Sequence, residues 1–416
     1  MENLTIVKDK QYYKFCMYGF FKNLRFFEPF FILFFIDKGL TFFQIGTIYA
    51  TKEIAINILE IPTGVIADAL GRKKSMITAF VAYIVAFVIF YFFNTYLLFL
   101  LAILFFSVGD ALRTGTHKAM IFEYLKINNW LNQKVKYYGN TRSWSQFGSA
   151  ISAIIAAIVV VISGNYQLVF LVATIPYIAD LLLMISYPNE LNGDIQKNDK
   201  LNIKNSFVEV FNQFKISFKY KAIWVCILNL SLYQGFFRSS KDYLQPIVVL
   251  AVSGLPLLHI ENEESRVAVF IGIIYFVIYI LSSLTSRNAA RLTNKFSSLE
   301  KITNISLLAG ILIGILSGIL VYYDFPIIAI ILFALIFVIQ NIRKPVGTAL
   351  VVEQVKSDIL ATALSIQSQF DSLLSAVFAL LIGFIADAFN VGAALSVLCI
   401  LLLIVFPFFR IRQVRS

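Results

Sequence analysis

Gly64-Val-Ile-Ala-Asp68-Ala-Leu-Gly71-Arg72-Lys73-Lys74 is a short polar hinge set between two long apolar segments. Glycine reaches backbone conformations closed to other residues, so Gly64 and Gly71 permit close packing and a sharp turn. The connection is too short to be a domain, and its acid and basic triplet interrupt a very oily chain. Of 416 residues, 59% are hydrophobic, 41 are Phe and only 14% are charged, and the mean hydropathy is +0.79. A water-soluble fold of ordinary proportions cannot bury that much apolar surface. A lipid bilayer has to serve as the solvent.

A membrane-crossing helix needs about 20 apolar residues. Working outward from the hinge, twelve such stretches are predicted, at 12–36, 43–66, 76–93, 96–125, 138–162, 168–185, 223–252, 267–284, 302–323, 325–352, 359–385 and 391–409. The net charge of +11 is not spread evenly between the connections. Alternate loops collect Arg72, Lys73, Lys74, Lys126, Lys134, Lys136, Lys197, Lys200, Arg287 and Arg291, whereas the opposite set offers chiefly Lys38 and Arg266 beside Asp37, Glu261, Glu263, Glu264 and Asp324. Basic residues mark cytoplasmic loops, so both termini are expected in the cytoplasm. This distribution also removes nucleic acid as the reason for the positive charge. Cys16, Cys226 and Cys399 lie within apolar segments and read as small buried hydrophobes, with no disulfide or metal framework. The first apolar stretch is too long for a signal core and reads as a retained helix.

The polar stretch after the sixth segment divides the chain almost evenly. Within it Phe207, Val210, Phe211, Phe214 and Phe218 recur at helical spacing behind a Ser206/Glu209 capping box, which predicts an amphipathic surface helix. The two halves share residues. Ser145-Gln146-Phe147-Gly148-Ser149 in the fifth segment is matched by Ser368-Gln369-Phe370-Asp371-Ser372 in the eleventh. Arg113, Glu123 and Lys126 in the fourth have the spacing of Arg343, Glu353 and Lys356 in the tenth. Pro29 and Pro246 each follow acidic and basic residues in the first and seventh. Together these matches favour an internal duplication.

The hinge resembles the signature loop after the second helix of the major facilitator superfamily of secondary transporters, and the resemblance extends over the whole chain through the six-plus-six arrangement. It implies an all-α membrane protein of twelve transmembrane helices in two pseudo-symmetric six-helix bundles. These would be residues 1–188 and 222–416, joined by a cytoplasmic linker at 189–221. The loop after the eighth segment, Ser286 to Lys295, keeps the basic character but lacks the acid and the glycines. The fifth segment also lacks the glycine-proline element that resembles a mark of proton-driven drug exporters.

Charges inside the spans carry the functional reading. Each costs roughly 2.5–3.5 kcal/mol at mid-bilayer, so Lys22, Arg25, Glu28, Lys52, Glu53, Asp110, Arg113, Lys118, Arg238, Lys241, Asp242, Arg343 and Asp371 are expected to face a wet cavity or one another. Helical spacing groups Lys22, Arg25 and Glu28 on one stripe, and Asp110, Arg113 and His117 on another with Lys118 pointing elsewhere. Glu53, Asn57 and Glu60 share a face, and Arg238 with Asp242 forms an i, i+4 pair. The competing reading is a set of internal ion pairs, with Lys22 and Lys52 snorkelling. Arginine forks suit carboxylate and phosphate. The predicted substrate is therefore anionic or zwitterionic, bound by Arg25, Glu28, Arg113, His117, Gln146, Arg238, Lys241, Arg343 and Gln369. Glu28, Asp110 and Asp371 are the candidates for ion coupling, since a carboxylate in a low-dielectric setting can exchange a proton near neutral pH.

From the resemblance, Gly64, Asp68, Gly71 and Arg72 form a gate. Asp68 would dock on the start of the eleventh helix near Ser357-Asp358-Ile359, with Arg72 as its charge-relay neighbour, while Lys73 and Lys74 read as membrane-surface anchors. No nucleotide-binding glycine loop and no His/Cys cluster is present, so neither catalysis, cofactor nor metal is expected. The expected partners are a small-molecule substrate, membrane lipids, and protons or Na⁺ as coupling ions, around a monomer in the cytoplasmic membrane. A multidrug exporter and a non-transporting sensor are the alternative readings.

Overall fold

The computed structural model describes residues 7–192, 221–253, 262–293, 298–354 and 360–412. Every regular element among them is helical. The expected linker helix at 206–218 and the docking point at 357–359 lie outside the described residues.

The first half contains α1 (Lys10–Lys22), α2 (Phe31–Asp37), α3 (Phe42–Leu70), α4 (Arg72–Phe92), α5 (Tyr96–Arg113), α6 (Thr116–Ile127), α7 (Lys134–Ser163) and α8 (Leu168–Ile185). The second contains α9 (Lys221–Ser240), α10 (Leu244–Ser253), α11 (Glu263–Thr293), α12 (Leu299–Tyr322), α13 (Pro326–Gln354), α14 (Leu360–Ala388) and α15 (Val391–Val405). Among the described residues nine helices are long and apolar enough to cross a membrane, in the third to sixth and eighth to twelfth expected segments. The chain is an integral, multi-pass membrane protein. The second expected segment is the continuous α3, which carries Lys52, Glu53, Glu60 and Asp68.

The first and seventh segments are broken, and the sequence supplies the causes. After α1, Asn23 returns its side-chain amide to the Gly19 carbonyl at 2.7 Å. Pro29 then lacks the N–H needed to continue a helix and disfavours α geometry in the residue before it. In α9, Ser239 and Ser240 both bond back to the Phe236 carbonyl, at 3.1 and 2.6 Å. Such back-bonding bends helices, and a tight turn at Lys241–Tyr243 follows before Pro246. The fourth segment also breaks. Thr114 bonds back to the Asp110 carbonyl at 2.7 Å, and Gly115 takes φ +79°, a left-handed value that glycine accepts without a Cβ clash.

Packing divides the chain into two compact units that do not coincide with its sequence halves: 1–28 with 55–207, and 29–54 with 208–416. In the first unit α4 lies against α5 and α8, and α1 against α7 and α8. Gly148 brings α7 onto α1 so closely that a Cβ would stand 2.5 Å from the Phe20 carbonyl oxygen. The core is aromatic: Tyr177 meets Tyr83 at 5.2 Å and Phe87 at 4.8 Å, both edge to face.

In the second unit α9 packs on α14, and α12 on α13 and α15. Gly235 gives α9 its approach to α14, where a Cβ would meet Leu374 at 2.8 Å. Gly19 plays the same part in α1, where a Cβ would meet the Ser145 hydroxyl of α7 at 2.8 Å. Small residues at matched interfaces are how membrane helices gain contact area when lipid offers no hydrophobic drive. The segment 29–54 is bound into this second unit by capped helix starts. Gln245 accepts from Ile32 N at 2.9 Å, and the Asp387 carboxylate accepts from Phe42 N and Phe43 N at 2.7 and 2.8 Å. The carboxylate satisfies two orphan donors at the positive end of α3.

Candidate functional site: charged clusters within the helices

In the first unit, Asp110 and Arg113 form the expected pair at 2.9 Å. Tyr83 joins them, donating its hydroxyl to Asp110 at 2.5 Å and accepting from Arg113 Nε at 2.9 Å. The guanidinium is thereby fixed, since both its direction and its counter-charge are held by the same two side chains. His117 lies past the Gly115 break, in the first turn of α6. Its ring stacks on Tyr18 at 3.5 Å between centroids, and its Nε2 is 3.1 Å from the Tyr187 hydroxyl.

Arg113 and His117 border a cavity of 160 Å³ that is also lined by Tyr18, Lys22, Tyr138 and Ser145. Exposed Lys118 and Arg142 stand at its border, and Lys118 Nζ lies 5.5 Å from the centroids of both Phe122 and Tyr138. Cationic side chains crowd a small polar recess whose walls are aromatic. Such a recess offers charge-assisted hydrogen bonds to one oxyanion group.

Two sequence expectations are corrected here. Lys22, Arg25 and Glu28 do not share a helical stripe, because α1 ends at Lys22 and the backbone up to Glu28 is not α-helical. The expectation that Lys118 points elsewhere than His117 holds only in part: Lys118 is exposed and His117 buried, yet both line the cavity. Arg25 nevertheless remains in the cluster, half-buried and acting electrostatically with Glu28, Asp110 and Arg113. Gln146 is exposed on α7.

The second unit holds a different set. Arg238 and Asp242 are not paired. Arg238 reaches Glu53 of α3 at 3.0 Å and the Ser372 hydroxyl at 3.3 Å. Asp242, past the end of α9, takes Lys241 at 3.0 Å and the Tyr49 hydroxyl at 2.8 Å. The turn at Lys241–Tyr243 destroys the i, i+4 register that would have joined them. Asp371 is buried beside this cluster, with one carboxylate oxygen lacking a hydrogen bond, in electrostatic reach of Arg238 and Glu53. Gln369 is half-buried on α14.

Arg343 does not serve as a substrate fork. Only 4% exposed, it donates to the Thr303 carbonyl, to the Ser306 hydroxyl at 2.8 Å, and to Asn229 at 3.2 and 3.1 Å. Its guanidinium carbon also sits 4.7 Å from the Tyr233 ring centre. Asn229 in turn holds the Phe409 carbonyl at 2.9 Å. With its donors spent on α9 and α12, Arg343 is a clamp between helices.

Around the hinge, Gly71 takes φ +94° at the start of α4. Arg72 pairs with Glu123 at 3.3 Å, and Lys126 reaches the same carboxylate at 3.5 Å. Lys73 Nζ caps the Tyr187 carbonyl at 2.7 Å, beyond the end of α8. The side chain of Asp68 and the surroundings of Gly64 lie outside the described residues.

One charged residue escaped the sequence reading. Asp180 is wholly buried in α8, in electrostatic reach of Lys22 and Arg113. The signal was present, because Asp180 is the one carboxylic or basic side chain in the 18 residues of Leu168–Ile185. Tyr83 and Tyr18 had no such signal, being two among 20 tyrosines.

The family model described as Major Facilitator Superfamily matches residues 15–342. A Bacillus subtilis (strain 168) protein, the uncharacterized MFS-type transporter YxaM, is 23% identical over 389 residues, covering 91% of this chain and 89% of its own. Among solved structures, the nucleoside transporter NupG superposes with a TM-score of 0.71 at 14% identity, over 96% of each chain. A D-xylose-proton symporter gives 0.69 at 14% identity, over 97% of this chain and 98% of its own. A POT family transporter in complex with 5-aminolevulinic acid gives 0.68 at 16%, over 96% of each. At these identities the structural likeness establishes the fold.

Proposed function

The chain belongs to the major facilitator superfamily, and on that premise we propose that it is a secondary transporter moving a small anionic or zwitterionic solute by alternating access. The observation that carries this reading is the 160 Å³ recess bordered by Lys22, Arg113 and His117. A fixed guanidinium, an ammonium and an imidazole converge there on a volume suited to one carboxylate or phosphate group. Lysine and arginine within a membrane span are expensive and normally mark a pathway.

Arg113 is the primary ligand, oriented by Tyr83 and Asp110, with Lys22 and His117 beside it. Arg25 and Glu28 form the next ring of charge. Arg238, Glu53 and Asp371 supply a second charged group whose pairings change during the cycle. Gly64, Asp68, Gly71 and Arg72 act as the gate, supported by the pairing of Arg72 with Glu123 and the left-handed turn at Gly71. The asymmetric loop charges support a cytoplasmic-membrane protein with both termini inside, driven by a proton or Na⁺ gradient.

Counterflow in proteoliposomes tests the reading. Labelled anionic metabolites are expected to exchange into vesicles preloaded with the same solute, and Arg113→Gln is expected to abolish both binding and exchange. Binding without exchange would make the chain a sensor instead.

A further inference from the structure

Asp180 is fully buried, and neither of its carboxylate oxygens has a hydrogen-bond partner. Asp110, in contrast, is held by Tyr83 and Arg113 at 2.5 and 2.9 Å, and Glu28 acts with Arg25. A buried carboxylate without hydrogen bonds has little to stabilise its charge, and such a group is the one that can change protonation state without dismantling a network.

The surroundings of Asp180 are defined on each side. Lys22 and Tyr18 on α1 and Arg113 at the end of α5 are in electrostatic reach of it. Tyr177 lies one turn earlier on α8, and Tyr187 beyond its end. From α4, Tyr83 stands behind Tyr177. α7, also packed on α8, brings Arg142 to the border of the recess. The cluster comprises the basic side chains Lys22, Arg25 and Arg113 and the carboxyl groups of Glu28, Asp110 and Asp180, with Lys118 and Arg142 at the border of the recess. An anionic group docking on Lys22 and Arg113 engages the two cations in reach of Asp180 and brings negative charge beside it, which favours the protonated carboxyl.

We propose that Asp180 takes up a proton when an anionic group docks on Lys22 and Arg113, so that anion and proton cross the membrane together. The proposal rests on the anion reading of the recess. The proton comes from water on the side where the recess is open and forms an O–H bond on Asp180. When the solute leaves on the other side, that bond breaks and the proton returns to water there. No electrons are exchanged. Asp110 keeps its role as the orienting partner of Arg113.

The test uses the purified full-length chain in weakly buffered nanodiscs, with sulfate and formate as probes, since neither titrates near neutral pH. Calorimetry reads binding and a pH-sensitive dye reads proton uptake. The expected result is uptake of about one proton per bound formate, lost in Asp180→Asn although formate still binds, and kept in Asp180→Glu. Should Asp180→Asn fail to fold, infrared difference spectra of the wild type are expected to gain a protonated-carboxyl band on sulfate addition, shifted in Asp180→Glu. Binding without proton uptake, uptake that persists in Asp180→Asn, or a band indifferent to Asp180→Glu overturns the assignment and leaves the anion recess standing. If neither probe binds, the recess itself is misassigned and the proposal falls with it.

Discussion

Arg238 is joined to Glu53 at 3.0 Å, not to Asp242 four residues further along its own segment. The pair ties α9 to α3 within the second unit, and Ser372 of α14 supplies a third contact. Removing one partner of a buried ion pair strands the other and costs about 3–5 kcal/mol. Glu53→Gln and Arg238→Gln are each expected to lower the melting temperature of the detergent-solubilised protein. The exchanged double variant, Glu53→Arg with Arg238→Glu, is expected to recover part of that loss. Full stability in either single variant would mean that the pair is not formed.

Tyr83 bridges Asp110 and Arg113 through one hydroxyl. Tyr83→Phe keeps the ring contacts with Tyr177 and Phe106 but leaves two buried polar groups short of a partner, at about 1–3 kcal/mol. A melting shift of that size, together with weaker sulfate binding because Arg113 is no longer held, is the expected outcome. An unchanged affinity would show that the tyrosine does not orient the arginine.

Arg113 and Arg343 occupy matched positions in the two halves, yet they do different work. Arg343→Gln is expected to destabilise the protein strongly, because Asn229, Ser306 and the Thr303 carbonyl lose their donor, while the surviving folded fraction still binds anions. Arg113→Gln also lowers the melting temperature, because Asp110 loses its partner, but its folded fraction is expected to have lost anion binding. Calorimetry on the folded fraction of each variant separates the two outcomes.

Close helix approach is testable through glycine. Gly148→Val places side-chain atoms against the Phe20 backbone, and overpacking of this kind costs about 1–3 kcal/mol. Reduced yield and melting temperature are expected. Gly139→Ala serves as the control: nothing lies within 4 Å of its missing Cβ, so a mid-helix alanine is expected to be neutral or to add up to roughly 1 kcal/mol.

Fold class was legible because it depends on quantities that a sequence carries outright, namely run length, hydropathy and loop charge. The Gly64–Lys74 hinge added the family. The site was only partly legible, since charge pairing depends on distances that spacing does not encode. Glu53 and Arg238 are 185 positions apart, and no periodicity relates them. Helix stripes misled where the helix stopped, at Lys22, at Gly115 and at Ser240. Pro29, Gly115 and Pro246 are visible in the sequence as interruptions, but which hydrogen bonds yield around them follows from Asn23, Thr114 and Ser240 bonding back to their own backbone. Arg343 looked like a ligand because arginine in a membrane span usually is one, and its polar neighbours sit on other helices. Asp180 could have been read, since a lone acid in an apolar span has to answer for its cost.

The most direct measurement is a thermal-shift titration of the purified chain against sulfate, formate, short dicarboxylates, uncharged sugars and lipophilic cations. The account predicts stabilisation by the anions alone, lost in Arg113→Gln and retained in the folded fraction of Arg343→Gln. Stabilisation by sugars or lipophilic cations instead, or an anion response that survives in Arg113→Gln, would contradict it.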